Sequence, residues 1–130
     1  MEKIINSMFD KKNWAVIGAT NNKDKFGNKI FNLLDEKGYN VYPVNPVYDE
    51  VEGKKCFNNL SEIKEQVDCV NFVVPPARGI DYIKEAIELG IKELWFQPGT
   101  FDETLLDLCE ANDLDIVYHA CVLVELPKRK

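Results

Sequence analysis

Two glycines, Gly18 and Gly27, bracket the polar loop of the stretch WAVIGATNNKDKFGNK at positions 14–29. An apolar run stops at the first glycine and a helical pattern opens at the second, so the loop joins a strand to a helix. A glycine after the strand lets the backbone turn and approach a ligand closely, and a glycine at the helix start allows tight helix–strand packing. Backbone N–H groups at such a helix start favour an anion, most naturally a phosphate. Thr20 adds a hydroxyl, and Lys25 and Lys29 add positive charge. The same glycines would also serve a plain strand-to-helix turn, and they stand further apart than in the usual dinucleotide fingerprint.

Three other loops carry candidate contacts. In PVNP, Pro43–Pro46, the residue at the end of the second apolar run is Asn45, where dinucleotide enzymes usually place an acid for the ribose hydroxyls. A neutral amide followed by the rigid ring of Pro46 makes a flat, uncharged wall suited to adenine, although Asn-Pro reads equally as a simple turn. In VVPPARG, Val73–Gly79, successive prolines make a stiff apolar wall without N–H donors, and Arg78 at a helix start faces either a phosphate or solvent. In WFQPGTFD, Gln97, Pro98 and Gly99 follow another apolar run, with Thr100 or Asp102 as helix cap.

Candidates for bond-making chemistry are few. His119 and Cys121 stand two apart, so on an extended segment both would face the same side. No orienting partner or electropositive setting for a thiolate is visible, and a buried structural thiol is the expected reading of Cys121. Asp49-Glu50 and Asp102-Glu103 fall in turns or helix starts and read as solvated. The 4 cysteines are scattered, without a CxxC pair and with a single histidine, which argues against a structural zinc site and suits reduced thiols.

Apolar runs that suit buried strands are Ala15–Ile17, Val41–Val44, Val70–Val74, Leu94–Phe96 and Ile116–Tyr118. Between them run amphipathic stripes. Ile30, Leu33 and Leu34 precede Gly38, Ile80, Ile83, Ala86 and Ile87 precede Gly90, and Leu105, Leu106, Leu108 and Cys109 make a further stripe. Ser61 is expected to cap a short helix with Ile63 and Val67 inward. Val51-Glu52-Gly53 with Lys54-Lys55 reads as a turn with a short edge strand. This alternation predicts an α/β chain with a doubly wound three-layer, Rossmann-like fold and a mainly parallel sheet of about five or six strands. Residues 1–130 are expected to form a single domain.

The net charge of −6 disfavours nucleic acid, and the clusters Lys54-Lys55 and Lys128-Arg129-Lys130 read as solvated. No segment approaches the roughly 20 apolar residues of a membrane span, and no basic-then-apolar start suggests a leader, so a cytoplasmic protein without membrane or nucleic-acid partners is expected. Trp95, Phe96 or Phe101 would make a dimer face if exposed.

Taken together, the loops resemble those of small stand-alone CoA-binding proteins, which are similar to the N-terminal CoA-binding domain of the succinyl-CoA synthetase alpha subunit. The likeness runs from about Trp14 to Glu125 and rests on VIGATNNKDKFGNKIFNLLDEKGYNVYPVNPVYDEVEGKKCFNNLSEI, VDCVNFVVPP, WFQPG and DIVYHAC. Lys23 stands where the family often has proline, and His119-Ala120 where it commonly has Asp-Arg. The resemblance implies that Gly18, Ala19, Thr20, Lys25, Phe26 and Gly27 surround the pyrophosphate of coenzyme A. It sets Asn45 and Pro46 near adenine, and Val74 and Pro75 along the ligand, with Arg78 the candidate cation for a phosphate from its place at a helix start. It implies a non-catalytic binder of coenzyme A or an acyl-CoA, with a protein partner or homodimer. Cys121 would then lie near the CoA thiol. The competing expectation is an NAD(P)-binding redox sensor or oxidoreductase subunit.

Overall fold

Apolar runs covered on both faces become the strands, and the glycine-stopped stripes become the helices. The structure, a computed structural model, describes residues 1–129. The elements are α1 (Glu2–Phe9), β1 (Asn13–Ile17), α2 (Phe26–Glu36), β2 (Asn40–Val44), β3 (Glu50–Val51), β4 (Lys54–Lys55), β5 (Cys69–Phe72), α3 (Pro76–Leu89), β6 (Glu93–Phe96), α4 (Glu103–Ala111), β7 (Asp115–Val117) and α5 (Val122–Arg129). A 5-stranded parallel sheet has the order β2-β1-β5-β6-β7, and β3 pairs with β4 in a separate antiparallel hairpin. This is the expected doubly wound, Rossmann-like α/β fold. After β1 the chain moves outward to β2, and from β5 onward it moves the other way. The order therefore reverses between β1 and β5, where a crevice opens beyond the carboxyl ends.

Strand alternation builds the two sides of the sheet. Trp14 and Val16 of β1 enter one core with Met8, Phe9, Phe31, Trp95 and Leu126, beneath α1, α2 and α5. Ala15 and Ile17 enter the other with Phe72, Ile83, Phe96 and Leu105, beneath α3 and α4. Among the described residues no helix is long and apolar enough to cross a membrane.

Several sequence expectations need correction. Trp95 and Phe96 are fully buried on a central strand and offer no dimer face, and Phe101 is half-buried against Tyr118, with ring centroids 5.3 Å apart. Ser61 does not cap a helix. Only a 3₁₀ turn forms at Leu60–Glu62, capped by Asn59, because two apolar positions bury too little to sustain more. Glu85 holds that turn, accepting from Leu60 N at 2.7 Å and Ser61 Oγ at 2.7 Å. β5 stops at Phe72 and β7 at Val117, earlier than expected. The basic tail is not simply solvated: Arg129 donates to Glu2 Oε2 at 2.7 Å and Asn6 Oδ1 at 2.8 Å, joining α5 to α1. Lys54 likewise pairs with Asp35 at 2.7 Å. Lys130 lies outside the described residues.

Candidate functional site

The loop after β1 is built by contact between its two glycines. Gly18 has φ +97°, a conformation glycine adopts without steric cost, and its N–H donates to Val44 O at 2.9 Å, tying the turn to the end of β2. A Cβ on Gly18 would lie 3.0 Å from Val73 O and 3.0 Å from Val74 Cγ1. A Cβ on Gly27 would lie 2.1 Å from Gly18 O. The first turn of α2 thus sits directly on the strand-end turn, which is what the wide glycine spacing conceals.

The residues between them are held by side chains of neighbouring loops. Thr20 Oγ1 lies 2.7 Å from Tyr48 Oη and accepts from Asn22 N at 3.1 Å. Asn28 Nδ2 donates to Thr20 O at 2.9 Å, and Asn45 Nδ2 to Ala19 O at 3.0 Å. The β3–β4 hairpin clamps the outer side, where Asn21 exchanges bonds with Glu50 O at 2.8 Å and Glu52 N at 2.9 Å. Lys23 pairs with Glu52 at 3.1 Å. That ammonium, helped by the amides of Asn28 and Asn32 against desolvation, holds the Glu52 carboxyl below its ordinary range.

Part of the loop's backbone is unpaired, and of Ala19, Thr20, Phe26 and Gly27 only Phe26 is exposed. Among the described residues the N–H groups of Ala19, Thr20, Phe26 and Gly27 have no hydrogen-bond partner. Lys25 occupies the N-cap of α2 without a capping bond, and the first turn carries no acid. Lys25 and Lys29 are exposed and without ion pairs among the described residues. Unpaired donors, a helix N-terminus and uncompensated cations together suit a phosphate group.

The other candidates fall around this cradle in different ways. Ala19 is fully buried, and Asn45 spends its amide on Ala19 O and its Oδ1 on Val47 N at 3.0 Å, so both shape the loop from beneath. Pro46 is exposed beside Val47, which is 77% exposed, giving an apolar ledge at the end of β2. Val74 is buried under Gly18, whereas the half-buried Val73 faces a cavity and Pro75 is exposed. Arg78 is exposed in the first turn of α3, in the helix layer opposite α2, and makes no ion pair among the described residues.

His119 and Cys121 do not form a nucleophile–base pair. His119 takes φ 63°, which breaks the extended geometry, and its ring packs 4.9 Å from Phe101 and 5.0 Å from Tyr118. Cys121 is half-buried rather than sealed, and its Sγ accepts from Gln97 Nε2 at 3.1 Å. The other thiols are unreactive by environment: burial pushes those of Cys56 and Cys69 up, and that of Cys109 up to about 11. Sequence reasoning missed Asn28, Tyr48 and Val73 as site residues. Only Asn28, polar directly after Gly27 on a helix that must press against the loop, had a readable signal.

These features define a doubly wound, Rossmann-like ligand-binding domain whose crevice lies at the β1/β5 switch point. The family model described as CoA binding domain matches residues 12–127, and the chain belongs to that family. It is 35% identical over 102 residues to the alpha subunit of ADP-forming acetate–CoA ligase II from Pyrococcus furiosus, covering 78% of this chain. The match spans only 22% of that subunit. A hypothetical protein from Pyrococcus horikoshii OT3 superposes with TM-score 0.92 and 32% identity, over 98% of this chain and 89% of that one. A conserved hypothetical protein from Pyrococcus furiosus gives TM-score 0.84 and 43% identity, over 88% and 99% of the respective chains.

Proposed function

We propose that this chain binds coenzyme A or an acyl-CoA at the carboxyl end of β1 and does no chemistry of its own. The observation that carries this reading is the set of unpaired N–H groups at Ala19, Thr20, Phe26 and Gly27, gathered by the Gly18–Gly27 contact in a CoA-binding family member. Those donors, with Lys25 and the Thr20 hydroxyl at the loop's edge, would hold the pyrophosphate. Pro46 would stack on adenine while Asn45 keeps the turn beneath it in place. Val74 supports Gly18 from below, and Pro75 and Arg78 border the ligand, Arg78 as a cation for a phosphate.

The ligase subunit that this chain resembles is several times longer. In this reading residues 1–130 form a single CoA-holding domain, in the cytoplasm, that presents its ligand to a protein partner or a second copy. A non-catalytic role fits the partners of His119 and Cys121, aromatic rings for one and Gln97 for the other, and the burial that pushes the remaining thiols up.

Calorimetry with CoA, acetyl-CoA and NADH tests the reading. Micromolar binding of CoA with none of NADH is expected. Binding of NADH alone, with quenching of tryptophan fluorescence, would establish the dinucleotide alternative instead.

A further inference from the structure

The two edges of the 5-stranded sheet are finished differently. At β2, Pro43 has no N–H to offer, its carbonyl accepts from Phe57 N at 2.9 Å, and Asn45 N donates to Phe57 O at 2.9 Å. Lys54 and Lys55 border the same edge. β7 has no such cover. Asp115 N donates to Lys92 O at 2.8 Å, so Asp115 and Val117 spend their backbone groups on β6. In a parallel ladder the residue between them turns the other way, and Ile116 points its N–H and C=O off the sheet. Neither these groups nor the N–H and C=O of Tyr118 have a partner among the described residues. Leu114, Ile116 and Tyr118 pack half-buried on the α3–α4 side of the core, and Phe101 meets Tyr118 edge-on.

From this we infer that the β7 edge receives an extended segment of a partner protein as an added strand, with apolar residues at every second position and lysine or arginine between them. The row of Leu114, Ile116 and Tyr118 sets the apolar spacing, since side chains repeat every second residue on one face of a sheet. Charge sets the rest. Asp102, Glu103, Asp107, Glu110, Asp113 and Asp115 lie on α4, its two flanking turns and β7, all exposed and without ion pairs among the described residues. They match the whole net charge of −6. A basic segment is drawn to such a surface, whereas a second copy would set these acids against their own likeness. The inference specifies the partner left open above and does not depend on CoA binding.

A capped peptide alternating lysine and valine is the probe, beside a glutamate–valine counterpart and a lysine–valine version N-methylated at alternate residues. Calorimetry gives affinity, and amide exchange on the isotope-labelled protein gives the place. The lysine–valine peptide should bind and slow exchange at Ile116 and Tyr118 at least about fivefold, as one added backbone hydrogen bond would. Val41, the outward residue of β2, should not change. The N-methylated peptide should bind at least about tenfold more weakly, because its charge is kept and its ladder bonds are lost. Asp107→Lys with Glu110→Lys, both exposed, should weaken the lysine–valine peptide at least about threefold. Equal affinity for the N-methylated or the glutamate–valine peptide overturns the inference, as does protection of Val41 instead of Ile116. Self-association of the protein in sedimentation, with Ile116 protected, gives the edge to a second copy and also overturns it. So does failure of every peptide to bind. None of these measurements uses CoA, so each outcome leaves the reading above as it stands.

Discussion

Helix α4 begins at Asp102, whose Oδ1 accepts from Leu105 N at 2.9 Å, and it carries Glu103 in its first turn. Helix α2 begins at Lys25, which has no acceptor to offer, and it carries no acid in its first turn. Both helices follow a strand of the same sheet and pack on its faces, yet only one has its dipole and its orphan donors satisfied from within. A capping side chain is worth about 1 kcal/mol, so α2 gives up stability that α4 keeps. What α2 has in its place is a backbone pressed against Gly18, a fixed loop and unpaired N–H groups. The contrast separates a helix start capped from within from one left uncapped.

The contact between the glycines is the part most easily broken. Gly27→Ala places a methyl 2.1 Å from a backbone oxygen that cannot swing aside. A loss of about 3 kcal/mol is expected, read from the urea midpoint, with CoA affinity falling alongside. Asp102→Ala at the start of α4 should cost only about 1 kcal/mol and leave binding intact. Equal costs at the two sites would mean that the seating of α2 on Gly18 is not what distinguishes them.

A second orphan group sharpens the same contrast from inside. Asn71, on β5 between Val16 and Trp95, is fully buried, and neither Oδ1 nor Nδ2 has a partner among the described residues. The unpaired N–H of the exposed Phe26 is available to a ligand, but a sealed amide is only a cost. Asn71→Val, of suitable shape for a central strand, should stabilise by about 2 kcal/mol without changing CoA affinity. Loss of binding in that variant would move Asn71 into the site.

Lys25→Asp converts the α2 start into the α4 kind. The new carboxylate can cap the helix, so stability should rise by about 1 kcal/mol. The same carboxylate occupies the donors and repels phosphate, so the Kd for CoA should rise at least about tenfold, or about 1.4 kcal/mol. Thermal unfolding and calorimetry on one preparation would show the two effects moving in opposite directions. A gain in stability with unchanged affinity would show that the anion does not sit at this helix.

Much of this was legible in the residues. Gly38 and Gly90 mark the helix stops, the continuous apolar runs mark a parallel sheet, and Gly18 with Gly27 marks the loop. Helix α1 was not read, although Ile5, Met8 and Phe9 follow helical spacing, because it is short and lies before the first strand. Helix α5 was not read because Pro127 looks like a breaker, whereas it stands near the helix end on a turn anchored by Val122 and Leu126. The resemblance set Val74 along the ligand, yet the strand stops just before Val73 and alternation no longer says which of the two faces the cleft; Val74 is the one buried under Gly18. The meeting of Gln97 with Cys121, and the cavity they floor, depends on how two distant loops end up side by side. Local pattern holds no trace of that.

The smallest effect concerns the clamp on the cradle. Glu52 is held below its ordinary value chiefly by Lys23, and its pairing keeps the hairpin against the loop. A carboxyl lowered in the folded state contributes stability above the usual carboxylate range, near pH 4.3, and the contribution is lost as pH falls through the lowered folded value. The pair is exposed, so global stability should barely move. Local order should move more: the protection of the Glu52 amide, which donates to Asn21 Oδ1, is expected to fall on acidification in the wild type when exchange is taken relative to the intrinsic rate at the same pH. In Glu52→Gln that protection should be low already and unchanged by acid between these values. Raised salt should mimic acid in the wild type, because a solvent-exposed ion pair is screened. If neither acid nor salt alters exchange in the loop, its order comes from the Asn21, Asn28 and Asn45 amides alone. The cradle would then be held by neutral hydrogen bonds, and the Lys23–Glu52 pair would be dispensable to it.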